Sequence, residues 1–338
     1  MMRAPLGLRR GAAALFQTAV RVRSEGYDRG LLSVVRVPDI TVISVGNLRT
    51  GGSGKTPLVA YLTEQLLAMG HRPAVVSRGY KGCLERSGGL ISDGSGPRVT
   101  AADAGDEAFW LAKRLRVPVL VGANRVRSVQ AARALGCDAA VLDDGFSHRR
   151  LFRDLDILSV HPADLSPTAA TLPLGDLREP SIAAKRAHLL TGFDADFQQR
   201  TSGERKPDFT FIYEPLDLVD ADGHPSSLPH LPTRAYLVSG IANPARFERT
   251  ARSVGFRVAG ASCFRDHHVF RTAEIIRIFE QATAAGAELV LTTEKDMVRI
   301  PTLKCPMSLR ALRIRPRIVV GEARLRESLA GLFSSVSP

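Results

Sequence analysis

Residues 40–57 read Ile40-Thr41-Val42-Ile43-Ser44-Val45-Gly46-Asn47-Leu48-Arg49-Thr50-Gly51-Gly52-Ser53-Gly54-Lys55-Thr56-Pro57. The apolar run 40–45 is a strand feeding a glycine-rich turn. Gly54-Lys55-Thr56 then opens a helix with apolar positions at Leu58, Val59, Tyr61, Leu62, Leu66 and Leu67. Such a turn aims successive backbone N–H groups at one point, and the helix N-terminus adds its positive dipole end. A polyphosphate fits there. Residues Arg49, Thr50, Gly51, Gly52, Ser53 and Gly54 would line the cradle. Lys55 would reach the outer phosphates, and the Thr56 hydroxyl would hold Mg²⁺. The usual pattern wants glycine at position 49, where Arg49 stands, so Gly51 and Gly52 supply the flexibility. The competing reading is a glycine-rich hairpin before a surface helix. A strand, three glycines, Lys-Thr and an amphipathic stretch seldom coincide by chance, so the segment predicts a user of nucleoside triphosphate.

The chain has 338 residues, 44% of them hydrophobic, enough for one large core or two modest ones. Its formal net charge of +12 is mostly an arginine excess and points to polyanionic partners: nucleic acid, phosphorylated metabolites or an anionic membrane. Aromatic content is 6%, and no basic stretch is interleaved with stacking aromatics, which argues against nucleic acid. The four cysteines (Cys83, Cys137, Cys263, Cys305) form no C-x-x-C pair, which argues for a reducing compartment and against a zinc site.

No apolar run reaches the ~18–20 residues of a spanning helix. At the N-terminus, Arg3, Arg9, Arg10, Arg21 and Arg23 flank Leu6, Leu8, Ala12–Leu15, Phe16, Ala19 and Val20, with no acid before Glu25. A basic amphipathic helix of this kind suits a membrane interface. A signal peptide, a transit peptide or a solvated helix are the alternatives.

Strand-like and helix-like segments alternate from 73 to 160: strands at 73–77, 118–121, 139–142 and 155–160, helices at 106–115 and 125–135. Residues 83–104 read as a polar surface excursion. Alternation resumes after 233, with a last helix near 322–333. The expectation is an α/β fold built on a P-loop-like, doubly wound, mostly parallel sheet. Its divisions are 1–36 as the membrane-associating helix, 37–193 as the nucleotide-binding core, 194–232 as a crossover without periodicity, and 233–338 as a smaller C-terminal α/β part.

Parallel strands carry functional residues at their carboxyl ends, beside the phosphate turn. Leu142-Asp143-Asp144-Gly145 with His148 is one such cluster, suited to holding a metal or capping a turn. Gly105-Asp106-Glu107 starts a helix, where acids are caps or catalysts. Phe264-Arg265-Asp266-His267-His268 sets histidines beside an acid. Thr293-Glu294-Lys295-Asp296 follows a strand and could close over a nucleobase. Arg178-Glu179 could bind a phosphate or form an ion pair.

These strings, with Ser77-Arg78-Gly79-Tyr80, Arg153-Asp154, Leu172-Pro173-Leu174-Gly175, Leu177-Arg178-Glu179-Pro180 and Ser239-Gly240-Ile241-Ala242-Asn243-Pro244, fall in the order found in one family across residues 40–300. Together they resemble the tetraacyldisaccharide 4'-kinases, the lipid A kinases. The resemblance implies transfer of the ATP γ-phosphate, with Mg²⁺, to the 4'-hydroxyl of an acylated disaccharide 1-phosphate lipid. The setting it implies is the cytoplasmic face of a Gram-negative inner membrane, with residues 1–36 as the anchor to that anionic surface. Carried onto this chain, Asp106 is the base accepting the hydroxyl proton and His267 positions it. Lys55 binds the β/γ-phosphates, His148 contacts phosphate, and Thr56, Asp143, Asp144 and Glu107 organise the metal. Three departures stand out: Ser147 where the family usually has Gln, Lys81 where it usually has Gly, and His161 where it often has Asp. The rival classes are a P-loop regulatory or assembly ATPase and, on charge alone, a nucleic-acid-dependent NTPase.

Overall fold

The structure, a computed structural model, describes residues 6–50, 54–166, 168–193, 205–301, 303 and 307–334. Strand β1 (Thr41–Asn47) alternates its side chains between two cores. Ile43 and Val45 face one side with helix α2 (Lys55–Ala68), while Val42 faces the other. That two-sided burial accounts for the near-continuous apolar reading of the strand.

Strands β2 (Pro73–Ser77), β4 (Pro118–Val121), β5 (Ala139–Asp143), β6 (Leu155–Val160) and β7 (Leu189–Phe193) join β1 in parallel, in the order β7-β6-β1-β5-β2-β4. Helix α3 (Ala101–Ala104) leads into α4 (Asp106–Arg114), which packs on the α2 side, and α5 (Arg125–Ala134) packs on the opposite face. Strands β2 to β5 lie on one side of β1, and β6 and β7 lie on the other. The winding therefore reverses at β1, the place where open α/β sheets bind ligands. Asp106 and Glu107 at the start of α4 and Lys113 and Arg114 at its end complement the helix dipole.

The polar stretch 83–104 holds more than a surface excursion. It contains β3 (Gly89–Asp93), which closes the sheet edge antiparallel to β4, and the short helix α3. Thr100 caps α3 reciprocally with Asp103.

The region 194–232, expected to be a crossover without periodicity, contributes β8 (Phe209–Val219) and β9 (Pro225–Ser226) among its described residues. Strand β8 runs antiparallel to the long β13 (Ser308–Val320), another strand the sequence did not announce. Pro215 and Pro316 obscure both strands, since proline argues against a central strand. The ladder shifts register between Arg313 and Ile314, where Ile314 faces Pro215, and carries Pro316 opposite Tyr213 without a shift. Strands β10 (Thr233–Ser239), β11 (Phe256–Cys263) and β12 (Leu289–Thr293) extend the sheet beyond β13 in parallel. Helices α6 (Pro244–Ser253) and α7 (Thr272–Ala284) cover these strands.

Strand β7 covers only Phe209–Phe211 of β8, and β12 covers only Ser308–Leu312 of β13. Between those ends the two halves share a two-stranded ribbon laced by Arg313–Asp217 and Arg317–Glu214. Helix α8 (Glu294–Met297) follows β12, and α9 (Glu322–Gly331) ends the described chain. The expected grouping of everything after 233 needs one correction: α9 returns to the first half, where Leu325 and Leu329 enter the core around α2 and β1.

The N-terminal segment folds as α1 (Leu6–Asp28). Its second half docks on the core through Arg149, which donates to the Ser24 carbonyl at 2.9 Å, and through Arg23, which donates to the Ser147 carbonyl at 3.0 Å. Among the described residues no helix is long and apolar enough to cross a membrane.

Candidate active site

The parallel register sets Asp143 opposite Val45, so the end of β5 stands beside the turn that follows β1. Gly51, Gly52 and Ser53 lie outside the described residues. Gly54 begins α2 at φ +72°, a left-handed conformation that glycine adopts without strain. The Tyr213 hydroxyl, from β8, donates to the Gly54 carbonyl. Tyr213 also stacks on Phe193 at 4.9 Å, and the Arg246 guanidinium lies 3.7 Å from the Phe193 ring centre. An aromatic and cationic wall thus flanks the start of α2.

Lys55 Nζ donates to Asn47 Oδ1 at 2.8 Å and pairs with Asp144 Oδ1 at 3.2 Å. The Thr56 hydroxyl donates to Asp143 Oδ2 at 3.3 Å. The two neighbouring aspartates live in different electrostatic settings. Asp143 is buried and its Oδ1 has no hydrogen-bond partner. Burial pushes its pKa up, and Glu107 adds to the rise while Lys55 opposes it. Asp144 is held in a fork by Arg178, both contacts at 2.8 Å. Burial would raise its pKa, but Arg178 and Lys55 outweigh that and hold the carboxyl well below the ordinary range. Arg178-Glu179 is thus no simple pair: Arg178 braces Asp144 and Asn47, and Glu179 accepts from Ser147 and Arg186.

His148 buries its Nε2 without a partner. Burial, reinforced by Arg125 and Arg153, pushes its pKa down to about 4, so the ring is neutral at neutral pH. Arg125 is itself buried, and burial lowers its pKa to about 10 against the pull of Asp144 and Asp143. Arg49 turns away from the turn and pairs with the buried Asp164, its Nε 2.8 Å from Oδ1. Thr50 donates its backbone N–H to the Asp176 carbonyl at 2.8 Å.

The second cluster is assembled from both halves, with Asp106 and Glu107 from α4 and His267 and Lys295 from the other half. His267 Nδ1 lies 3.1 Å from Asp106 Oδ2. Lys295 Nζ lies 3.3 Å from His267 Nε2 and 3.5 Å from Glu107 Oε1. Lys295 thereby faces the acid–histidine pair. Burial is the largest influence on Asp106 and opposes ionisation, but His267, Arg299 and Lys295 together prevail and lower its pKa. His268 points elsewhere and pairs with Glu274 at 3.0 Å. Of the two adjacent histidines, only His267 joins the cluster.

The sequence-based expectations omitted Asn47, Arg125, Tyr213 and Arg299 from the site. Asn47 is a strand-terminal residue next to the turn, which is a legible signal. Arg125, Tyr213 and Arg299 reach the site only through tertiary packing.

A family model described as tetraacyldisaccharide-1-P 4'-kinase matches residues 8–334. The chain belongs to the tetraacyldisaccharide 4'-kinase family. A tetraacyldisaccharide 4'-kinase of Anaeromyxobacter dehalogenans (strain 2CP-C) is 38% identical to it, covering 96% of this chain and 92% of that protein. One from Geobacter sulfurreducens is also 38% identical, covering 85% and 82%. The crystal structure of an "apo" form of LpxK from Aquifex aeolicus in complex with ATP superposes with a TM-score of 0.78 at 30% identity, covering 96% of this chain and 98% of that one.

Within the tetraacyldisaccharide 4'-kinase pattern, two of the three departures, Ser147 and His161, make local hydrogen bonds, and nothing in the structure explains Lys81. Lys81 sits at φ +64°, a left-handed position where glycine would be unstrained. Ser147 donates its hydroxyl to Glu179 at 2.6 Å. His161 caps a short 3₁₀ turn, its Nδ1 accepting from the Ala163 N–H at 3.3 Å while its own N–H donates to Asp164 at 2.8 Å.

Proposed function

We propose that this chain transfers the γ-phosphate of ATP to the 4'-hydroxyl of a tetraacylated glucosamine disaccharide 1-phosphate, giving the 1,4'-bisphosphate in a late step of lipid A biosynthesis. The observation that carries the reading is the meeting of two clusters. Lys55, Thr56 and Asp143 stand at the glycine turn, and Asp106 with His267 stands beside Glu107, whose charge acts on Asp143. Phosphoryl transfer is mainly positioning and charge stabilisation, so such a constellation is what the reaction requires.

In this reading Lys55 and the turn amides that follow Thr50 grip the β- and γ-phosphates, the Thr50 N–H itself being held by the Asp176 carbonyl. Asp106 accepts the proton of the attacking sugar hydroxyl. His267 donates its Nδ1–H to Asp106 and fixes the carboxylate's orientation, while Lys295 confronts Nε2. Asp143 has a buried carboxylate oxygen without a protein partner, next to the Thr56 hydroxyl, an oxygen pair that suits Mg²⁺. When bound there, Mg²⁺ would neutralise charge on the β/γ-phosphates, with Asp144 and Glu107 completing the acidic rim. Arg178 and Lys55 keep Asp144 ionised for that role.

The membrane-facing part of the proposal rests on α1. Leu8, Leu15 and Val22 are exposed at seven-residue intervals, which is one stripe of the helix. With Arg10 and the exposed Arg21 nearby, while Arg9 and Arg23 hold the Pro173 and Ser147 carbonyls of the core, the stripe suits an anionic interface such as the cytoplasmic face of the inner membrane. Residues 37–193 and 233–321 form the two working halves joined by the β8–β13 ribbon. The regulatory ATPase reading and the nucleic-acid reading gain no specific support from the site.

The test is direct. Purified protein is incubated with radiolabelled ATP and the acylated disaccharide 1-phosphate, and the lipids are separated by thin-layer chromatography. Label in the lipid is the expected result. Release of free phosphate without labelled lipid would overturn the acceptor assignment.

A further inference from the structure

Arg299 follows α8 and has a side chain only 3% exposed, in the half of the molecule opposite to Asp106. Its Nη2 donates to Asp296, whose side chain is fully buried, and to the Gly240 carbonyl at 3.1 Å. Asp296 is fixed in turn by the Thr293 hydroxyl at 2.7 Å. The Gly240 carbonyl also accepts the backbone N–H of His267 at 3.2 Å. Arg299 Nε lies 3.6 Å from Asp106 Oδ2 and has no hydrogen-bond partner, and neither does Nη1.

We propose that Arg299, braced by Asp296, is the residue that positions both members of the Asp106–His267 pair. It acts on Asp106 through its Nε–H and on His267 through the carbonyl they share. The inference rests on the reading of Asp106 as the proton acceptor. A gap of 3.6 Å is an ion-pair distance and too long for a hydrogen bond. Buried donors without partners are costly, so the two spare N–H groups favour any small movement that brings the carboxylate onto them. Such tightening is expected on forming the reacting complex. A buried ion pair contributes little net stability compared with apolar packing, so stability alone is a weak reason for this arrangement. Gly240 supports the same geometry. A Cβ there would lie 3.2 Å from Asp296 Oδ1 and 3.3 Å from His268 Cβ, so the strand end approaches the buried acid closely. Arg299 touches neither hydroxyl nor phosphate in this scheme; it is a positioning residue.

The experiment is a double-mutant cycle on lipid phosphorylation by the full-length protein. Arg299→Gln should lower kcat by about 10- to 100-fold, as small misplacements of reacting groups do, with KM for ATP changed by less than about threefold. In an Asp106→Asn background the same substitution should cost nothing further, because the group it positions is gone. Asp296→Asn/Arg299→Gln removes both buried charges together and should give the same pattern without stranding one of them. Arg299→Lys keeps the buried pair and so protects the fold; it should show the same dependence on Asp106 with a smaller loss. Unchanged kcat in Arg299→Gln, or equal fold losses in the presence and absence of Asp106, would overturn the inference. If Asp106→Asn itself keeps full activity, the reading of the base fails instead, and the two failures are told apart by that single variant.

Discussion

His267 Nδ1 sits 3.1 Å from Asp106 Oδ2 across a sequence separation of 161 residues. The acid starts α4 in the first half of the sheet; the histidine follows β11 in the second. Neither half holds the pair alone, so the chemistry depends on how the ribbon of β8 and β13 sets one half against the other. Asp106→Asn removes the charge proposed to accept the proton, with little change in shape. Its kcat should fall by about 10²–10⁴-fold, the usual contribution of a general base. Steady-state assay of lipid phosphorylation checks this. An unaltered kcat would reduce Asp106 to a favourable charge at a helix start.

Lys55→Ala leaves the Arg178–Asp144 fork intact but takes one cation from the turn. The loss in kcat should be at least about 10²–10³-fold, as for removal of one preorganised donor in other enzymes. The Tm should change little, since Lys55 anchors no apolar core. A variant that binds ATP normally and turns over normally would mean that the turn grips something else.

Gly105 stands immediately before Asp106 at φ +79° and ψ 146°. That conformation is essentially restricted to glycine, and a Cβ would come within 2.7 Å of the Tyr80 carbonyl. Gly105→Ala should cost roughly 1–3 kcal/mol of stability. It should also lower kcat, because α4 cannot move without carrying Asp106. Urea denaturation and kinetics on one preparation read both effects.

Glu294 offers a pH test. Its carboxyl is buried, which pushes its pKa up to about 7 against the pull of Arg114 at 3.2 Å. The unfolded chain releases that proton near the ordinary value of 4.5. Between these two values the native state binds more protons, so this group's contribution to stability falls as pH rises, on the order of 1.4 kcal/mol per pH unit. Glu294→Gln should remove the slope, gaining on wild type from pH 4.5 to 7 and staying level above it. Denaturation midpoints for both proteins give the comparison. Parallel curves would show a Glu294 ionised alongside Arg114 throughout.

The exposed stripe on α1 predicts vesicle binding. Leu15→Glu places an acid at its centre and should weaken cosedimentation with anionic vesicles, with the core fold retained. Added salt should weaken the wild type as well, since the arginines act through a screened surface potential.

The first half of the fold was legible because its strands read as short apolar runs, alternating with helix-length segments between turn residues. Asp143 and Asp106 lie at the ends of those elements, so their placement at one end of the sheet was legible too. Strands β8 and β13 were not, because prolines 215 and 316 interrupt them and four arginines punctuate β13. Their reason for being strands is each other, and a partner some hundred residues away leaves no local mark. Arg299 was missed for a related cause: a lone arginine after a short helix reads as solvated, and only the fold shows it buried. The split between Asp143 and Asp144 was likewise beyond the sequence, since it comes from Arg178 packing against one of them.

The pairing of β8 with β13 also bears on biosynthesis. On the emerging nascent chain β8 is complete about ninety residues before its main partner leaves the ribosome, and α9, which seals the first core, comes later still. Until then most of β8 presents open edges, the kind of surface that invites aggregation. A C-terminal truncation of some thirty residues would therefore cripple the first half, since it takes away both the partner of β8 and the helix whose Leu325 and Leu329 complete that core.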